Sequence, residues 1–227
     1  MRTHTESRES GFTLIEILIV TTVFGVLAGV AVPNLLSSRL AANEAAVVAT
    51  MRAVATAQFQ FQSSSQLDTN FDSGYEYGTF GELAASDNLR GSDRPVQRNL
   101  LSAGLGKLDA SGWVTHHGYH FCLYLPAVDG TGVVGVPGNE ASMDPVLGHS
   151  FYTVLAWPVQ LDVTGRRSFF LNQQGQLLQS LNARYDGSTS VPPAGAGLVG
   201  VAANNIATQA LAVQAPGADG HDWVQMR

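Results

Sequence analysis

Charged residues are scarce in this chain of 227 residues. They make up 13% of it, against roughly 25% in an ordinary soluble domain. Lysine is nearly absent, with Lys107 the single example, and the net charge is −6. A nucleic-acid binder draws its affinity from many Lys and Arg contacts to phosphate. We therefore expect no nucleic-acid partner.

Cysteine is almost absent as well, since Cys122 is the single one. A chain with one cysteine cannot form an intramolecular disulfide. The neighbours Phe121 and Leu123 are apolar, and a free cysteine in such a place behaves as a small hydrophobic residue. We expect Cys122 to be a buried free thiol.

Enzyme and cofactor signatures are also missing. Two Gly-x-Gly-x-x-Gly patterns, at 130–135 and 195–200, adjoin prolines rather than a strand and a helix start, so both are predicted to be loops. No cysteine or further carboxylate completes a metal-site pattern with the histidines at 116, 117 and 120. Ser150 is no nucleophile elbow, because Tyr152 takes the place of the second glycine. The sequence predicts no catalytic residue and no cofactor site.

What the chain does have is a long apolar run, from Phe12 to Val32. As a helix its 21 residues would span about 31 Å, the thickness of a bilayer core. A secretory signal, a plain membrane anchor and a buried core helix are the alternatives. A secretory signal has a basic start and a shorter apolar stretch, and a core helix of this length without a polar stripe would be unusual in so small a domain. A plain anchor explains the length but not Glu16, because an ionisable group inside a membrane span costs about 2.5 kcal/mol or more unless it finds a partner. We expect its own helix to offer no charged partner.

The residues Gly11-Phe12-Thr13-Leu14-Ile15-Glu16 resemble the type III signal of type IV prepilins and type II secretion pseudopilins. The resemblance implies that a prepilin peptidase cuts between Gly11 and Phe12 and methylates the new amino terminus. Residues 1–11 are then a leader, and residues 12–33 are a transmembrane and assembly helix. It also implies that Glu16 pairs with the amino group of a neighbouring subunit's Phe12, so that two buried charges satisfy each other.

The same resemblance implies the function, location and partners. The chain would be a structural subunit of a type IV pilus or related filament, polymerising with itself and with other pilin subunits. It would cross the bacterial inner membrane once, with its N-terminus cytoplasmic, before the assembly machinery moves it to a periplasmic or cell-surface filament. A type II secretion pseudopilin and a membrane-anchored periplasmic binding or enzymatic domain are the alternatives. The family often carries a disulfide near its C-terminus, which this chain cannot form.

Pro33 lies where pilins of this kind often have a proline, and it removes one helical hydrogen bond. It has an assembly role by resemblance, since the helix around it can loosen in a filament. A stripe of residues at helical spacing, apolar except for Gln58, nevertheless continues beyond it and predicts that residues 34–62 form the outer half of one long helix; its members are Leu36, Leu40, Val47, Met51, Val54, Gln58 and Phe61.

Residues 63–185 are predicted to form a globular domain of α+β class, with an antiparallel sheet of about four strands packed on the helix. The strand signals are at 119–125, 151–157, 169–171 and 177–178, the last two joined by a hairpin turn at 172–175. Thr79 and Glu82 have the spacing of a capping box for a short helix. Residues 186–227 are rich in Ala, Gly and Pro and are predicted to be a loosely ordered tail.

The loop 129–149 provides a candidate metal site. Asp129, Glu140 and Asp144 lie in it, and hard carboxylate oxygens suit calcium. Major pseudopilins, which the N-terminus resembles, can hold calcium in a loop next to the sheet. The spacing matches no known calcium pattern, so a solvated loop is the alternative.

Overall fold

A computed structural model describes residues 11–226. By their internal contacts these residues divide into two units, the first ending at Arg39 and the second beginning at Leu40. The helices that the structure assigns are α1 at Leu14–Ser63, α2 at Phe80–Leu83 and α3 at Pro145–Gly148, with 3-10 turns at Ala103–Gly106 and Glu140–Ser142.

Every side chain of residues 11–39 is exposed. Among the described residues, α1 is the one helix long and apolar enough to cross a membrane, a statement about length and composition only. None of its most apolar stretch is buried, so the core-helix alternative is wrong. Large apolar side chains left exposed along a segment of bilayer length are what a membrane span requires.

Residues 40–63 of α1 bury one stripe of side chains, as the apolar spacing predicts. Six of the seven predicted positions are buried, and Leu36 remains exposed. The polar member, Gln58, is fully buried but satisfied, because its side-chain amide donates to Gly78 O at 2.8 Å and accepts from Gly78 N at 2.9 Å. The predicted helix end near residue 62 is confirmed by the end of α1 at Ser63.

The second unit contains an antiparallel sheet, so the α+β class is confirmed. Within residues 11–226 the sheet has eight strands rather than about four. The strands are β1 Val114–His116, β2 Tyr119–Pro126, β3 Gly132–Val134, β4 Thr153–Pro158, β5 Ser168–Asn172, β6 Leu177–Ser180, β7 Ala215–Pro216 and β8 Asp222–Gln225. Their order in the sheet is β1-β2-β4-β5-β6-β8-β7, with β3 paired to β2. The four predicted runs correspond to β2, β4, β5 and β6. The missed strands have two to four residues each, too few to show alternation, and β3 lies in a segment predicted as loop.

Both faces of β2 are buried, with its side chains alternating between two hydrophobic clusters. Tyr119, Phe121, Leu123 and Leu125 pack in the cluster that contains the buried stripe of α1. Cys122 and Tyr124 pack in the cluster on the opposite face. The predicted buried free thiol is confirmed, and burial raises the pKa of Cys122 to about 12.

The C-terminal segment from residue 186 to 226 covers that opposite face, so the prediction of a loosely ordered tail is wrong. Six of its apolar residues are buried there: Ala194, Ala196, Leu198, Ile206, Ala212 and Trp223. Strand β8 pairs antiparallel with β6. The ring centroid of Trp223 lies 5.9 Å from that of Phe170 in β5. The segment therefore forms the outer layer of the hydrophobic core.

A buried ion network ties together the loops between α1 and the sheet. Arg90 Nη2 lies 3.0 Å from Glu76 Oε2, and Arg90 Nη1 lies 3.2 Å from Glu82 Oε2. All three side chains are at least 95% buried. Each carboxylate also accepts a backbone N–H at 2.8 Å, from Thr69 or Thr79. Buried charges are tolerated when they are paired and hydrogen-bonded in this way.

Candidate functional site: the start of helix α1

The predicted cleavage bond lies outside the helix. Gly11 and Phe12 precede Leu14, where α1 begins, and neither is helical. Phe12 is 79% exposed, and beyond its chain neighbours no described residue comes within 4 Å of the Cβ position of Gly11. A peptide bond in a non-helical and open segment is accessible to a peptidase. The leader residues before Gly11 lie outside the described residues.

Thr13 and Glu16 form a capping box at the first turn of α1. Thr13 Oγ1 accepts a hydrogen bond from Glu16 N at 3.2 Å, and Glu16 Oε2 accepts one from Thr13 N at 3.5 Å. Backbone bonds from Glu16 N and Ile17 N to Thr13 O complete the turn. The Glu16 carboxylate thereby accepts the Thr13 N–H, which the helix start leaves free, and the Thr13 hydroxyl shares Glu16 N with the Thr13 carbonyl.

The carboxylate of Glu16 is therefore not isolated within its own helix. Its helix supplies no charged partner, as the sequence predicts, but it does supply the Thr13 N–H, which the sequence argument missed. The positive end of the helix dipole favours a carboxylate in the first turn. A neutral N–H leaves the charge uncompensated, so a cationic partner would still stabilise Glu16 in an apolar surrounding.

Pro33 lies inside α1, which runs on for thirty residues to Ser63. Its ring leaves the carbonyl of Gly29 without the usual donor. Apart from their chain neighbours and the backbone of α1 itself, no residue among 11–226 comes within 4 Å of the Cβ positions of Gly25 and Gly29, so the face that they open is uncovered by the described part of the chain. The prediction that the helix outlasts Pro33 is confirmed, whereas its assembly role stays a prediction.

The three calcium candidates are used elsewhere. Asp129 Oδ1 accepts Thr131 N, Glu140 Oε2 accepts Gly138 N, and Asp144 Oδ1 caps α3 by accepting Leu147 N at 2.7 Å. Each carboxylate thus stabilises its own turn. No group of three or more His, Cys, Asp or Glu side chains among residues 11–226 is arranged to hold a metal ion, so the structure does not bring the three together.

Thr13 is the residue that the sequence argument missed at this site. The signal was present, because Thr13-Leu14-Ile15-Glu16 has the same T-x-x-E spacing as the predicted box at Thr79–Glu82. That second box is confirmed, with Thr79 N donating to Glu82 Oε2 at 2.8 Å. Reading Thr13 only as part of a processing signal hid its role as a helix cap.

Comparison with known proteins relates this N-terminal site to pilins. Residues 7–32 match the family described as Prokaryotic N-terminal methylation motif. The type IV wide pilus major component PilA4 of Thermus thermophilus is 43% identical over 60 residues, which are 26% of this chain and 43% of that protein. The type IV major pilin protein PilA of Myxococcus xanthus is 32% identical over 88 residues, 35% of this chain and 40% of that protein.

The similarity to these pilins is partial, since the chain covers less than half the length of each. No solved structure matches the chain. A longer match extends through the helix and most of the sheet: residues 23–183 match the family described as Protein of unknown function (DUF2950). This match covers more than half of the chain's residues, and the chain therefore belongs to this family.

Proposed function

We propose that the chain is a structural subunit of a type IV pilus or a related filament, and that it polymerises through its N-terminal helix. The single observation that carries the proposal is the combination at the start of α1. An exposed Phe12 lies just before a helix whose first turn holds Glu16 in a capping box, and whose apolar first part is exposed over a bilayer's length. The matched methylation motif and the two similar pilins support this reading.

In this proposal a prepilin peptidase hydrolyses the Gly11–Phe12 bond and the new amine of Phe12 is methylated. Before assembly the apolar helix holds the chain in the inner membrane, with the N-terminus on the cytoplasmic side. On polymerisation the cationic amine of a neighbouring Phe12 pairs with the Glu16 carboxylate, which its own helix has left without a charged partner. Both similar proteins are named as pilus components, which favours a pilus over a secretion pseudopilus.

The test of assembly is the substitution Glu16→Ala, with Thr21→Ala as the matched control. Thr21 is another exposed polar residue of the same span, and its hydroxyl donates only to the carbonyls one turn back. Mature protein is measured in the membrane fraction and polymer in the sheared surface fraction. We expect Glu16→Ala to insert and be cleaved normally but to form little or no filament, and Thr21→Ala to assemble like the parent. Normal filaments from Glu16→Ala would favour a membrane-anchored domain instead.

The test of processing is Gly11→Leu, with Gly25→Leu as its control. Both glycines lie in open space, so neither substitution causes a clash within the chain. We expect the uncut precursor to accumulate for Gly11→Leu alone, and mass analysis of the parent to find N-methylated Phe12. A mature chain that begins elsewhere, for example near Ala31, would contradict the proposal.

A further inference from the structure

The chain forms a Thr-x-x-Glu capping box twice, once in a buried and once in an exposed surrounding. In α2 the box between Thr79 and Glu82 is buried, and Glu82 Oε2 also meets Arg90. In α1 the box between Thr13 and Glu16 is exposed. The α2 box shows that a carboxylate in this geometry can accept its cap N–H and a cation at the same time.

The Glu16 carboxylate likewise has more acceptor positions than its capping box uses. Its Oε2 accepts the Thr13 N–H, while its Oε1 takes part in no hydrogen bond among residues 11–226. A carboxylate has about four acceptor positions, so the box leaves most of them open. It also removes rotamer freedom from a long side chain, whose ordering would otherwise be required when a partner binds.

We propose that Thr13 is a positioning residue for assembly, and that its capping box holds the Glu16 carboxylate at the start of α1 with one oxygen free for the neighbouring subunit's amine. This inference rests on the proposed function. The Thr13 hydroxyl fixes the first turn through Glu16 N, and the Thr13 N–H orients the carboxylate. The neighbouring amine then meets a carboxylate that is already in place, so less ordering is needed when the subunits join.

Two substitutions separate the box from the ion pair. Thr13→Val removes the hydroxyl and keeps the shape, so the first turn loses its cap while the Glu16 charge remains. Glu16→Gln keeps a side chain that can complete a capping box but removes the charge. Thr13→Ser restores the hydroxyl. Thr22→Val is the matched control, because the Thr22 hydroxyl donates to Leu18 O and caps nothing.

The full mature chain in detergent micelles gives the first measurement, the hydrogen exchange of the Glu16 and Ile17 amides, both of which bond to Thr13. We expect exchange about fivefold faster in Thr13→Val, the ratio expected from a typical N-cap loss. Thr13→Ser, Glu16→Gln and Thr22→Val should stay within about twofold of the parent. Polymer formed per mature membrane protein is the second measurement. It should fall about fivefold in Thr13→Val, recover in Thr13→Ser and be absent in Glu16→Gln.

Unchanged exchange in Thr13→Val would show that no box forms in the mature chain, and faster exchange with parental filament yield would show that the box does not serve assembly. Either result overturns the inference. If the parent chain forms no filament at all, the proposed function fails and the positioning role fails with it. The exchange data then identify the box as a helix cap only.

Discussion

Removing the Arg90 side chain should destabilise the second unit more than almost any other single change. In Arg90→Met the carboxylates of Glu76 and Glu82 would remain, 3% and 2% exposed, without the cation that lies 3.0 and 3.2 Å from them. Breaking a buried pair by removing one partner typically costs about 3–5 kcal/mol. A whole domain is stable by about 5–15 kcal/mol, so the variant should lose a large fraction of its stability.

Urea unfolding of the mature chain in detergent, followed by tryptophan fluorescence, measures this loss. Trp157 and Trp223 are fully buried, so their emission reports the opening of the core. Arg94→Met is the matched control, because Arg94 is exposed and such substitutions change stability by about 0.5 kcal/mol or less. Replacing all three charges, with Glu76→Gln and Glu82→Gln added to Arg90→Met, should recover part of the loss, since no unpaired buried charge remains.

The reasoning would be refuted if Arg90→Met and Arg94→Met unfolded at the same urea concentration. It would also be refuted if the triple variant were no more stable than Arg90→Met, because the loss would then not come from unpaired carboxylates. In that case the hydrogen bond from Arg90 Nη2 to Tyr77 O, or simple packing of the side chain, would be the main contribution.

Two further predictions concern single ionisable groups. Cys122 should resist a maleimide reagent at pH 8 in the native chain and react only on unfolding, because it is buried and its pKa is raised to about 12; rapid native labelling would contradict the placement of β2. Burial first and the Glu140 charge second raise the pKa of Asp87 above its ordinary 3.8. Its ionisation therefore destabilises the fold as pH rises through that raised pKa. Asp87→Asn should be more stable than the parent at pH 7 and equal to it at about pH 3, and equal urea midpoints at pH 7 would contradict this.

The N-terminal site and the central strands could be predicted from the sequence because their signals are local. The apolar run from Phe12 to Val32 has the length of a bilayer span, and the buried stripe from Leu40 to Phe61 repeats at helical spacing. In β2 the alternation of large apolar residues with others separates the two faces before any contact is known. Such periodicities are set by backbone geometry alone.

The C-terminal segment could not be predicted in the same way, because what orders it is not local. Its buried residues between 194 and 212 are mostly alanine, and the short alternation of Ala194, Ala196 and Leu198 is interrupted by glycines, which are poor strand formers. Their burial depends on an apolar sheet face that Leu155 and Phe170 provide from far along the chain. Strand β8 pairs with β6 over two residue pairs only. Composition rich in Ala, Gly and Pro describes a flexible linker and a tightly packed covering layer equally well.

The covering layer also explains how a chain with one cysteine holds its C-terminus. Asp219 receives hydrogen bonds from Tyr185 Oη at 2.7 Å and from Trp223 Nε1 at 3.2 Å, and Asn182 Nδ2 donates to Asp222 at 3.0 Å. These contacts join the residues just after β6 to the hairpin that β7 and β8 form. A disulfide would constrain mainly the unfolded chain, whereas these contacts act only in the folded one. The order of the C-terminal segment therefore depends on burial of Trp223 against the sheet, and the small residues around it are what allow the segment to lie that close.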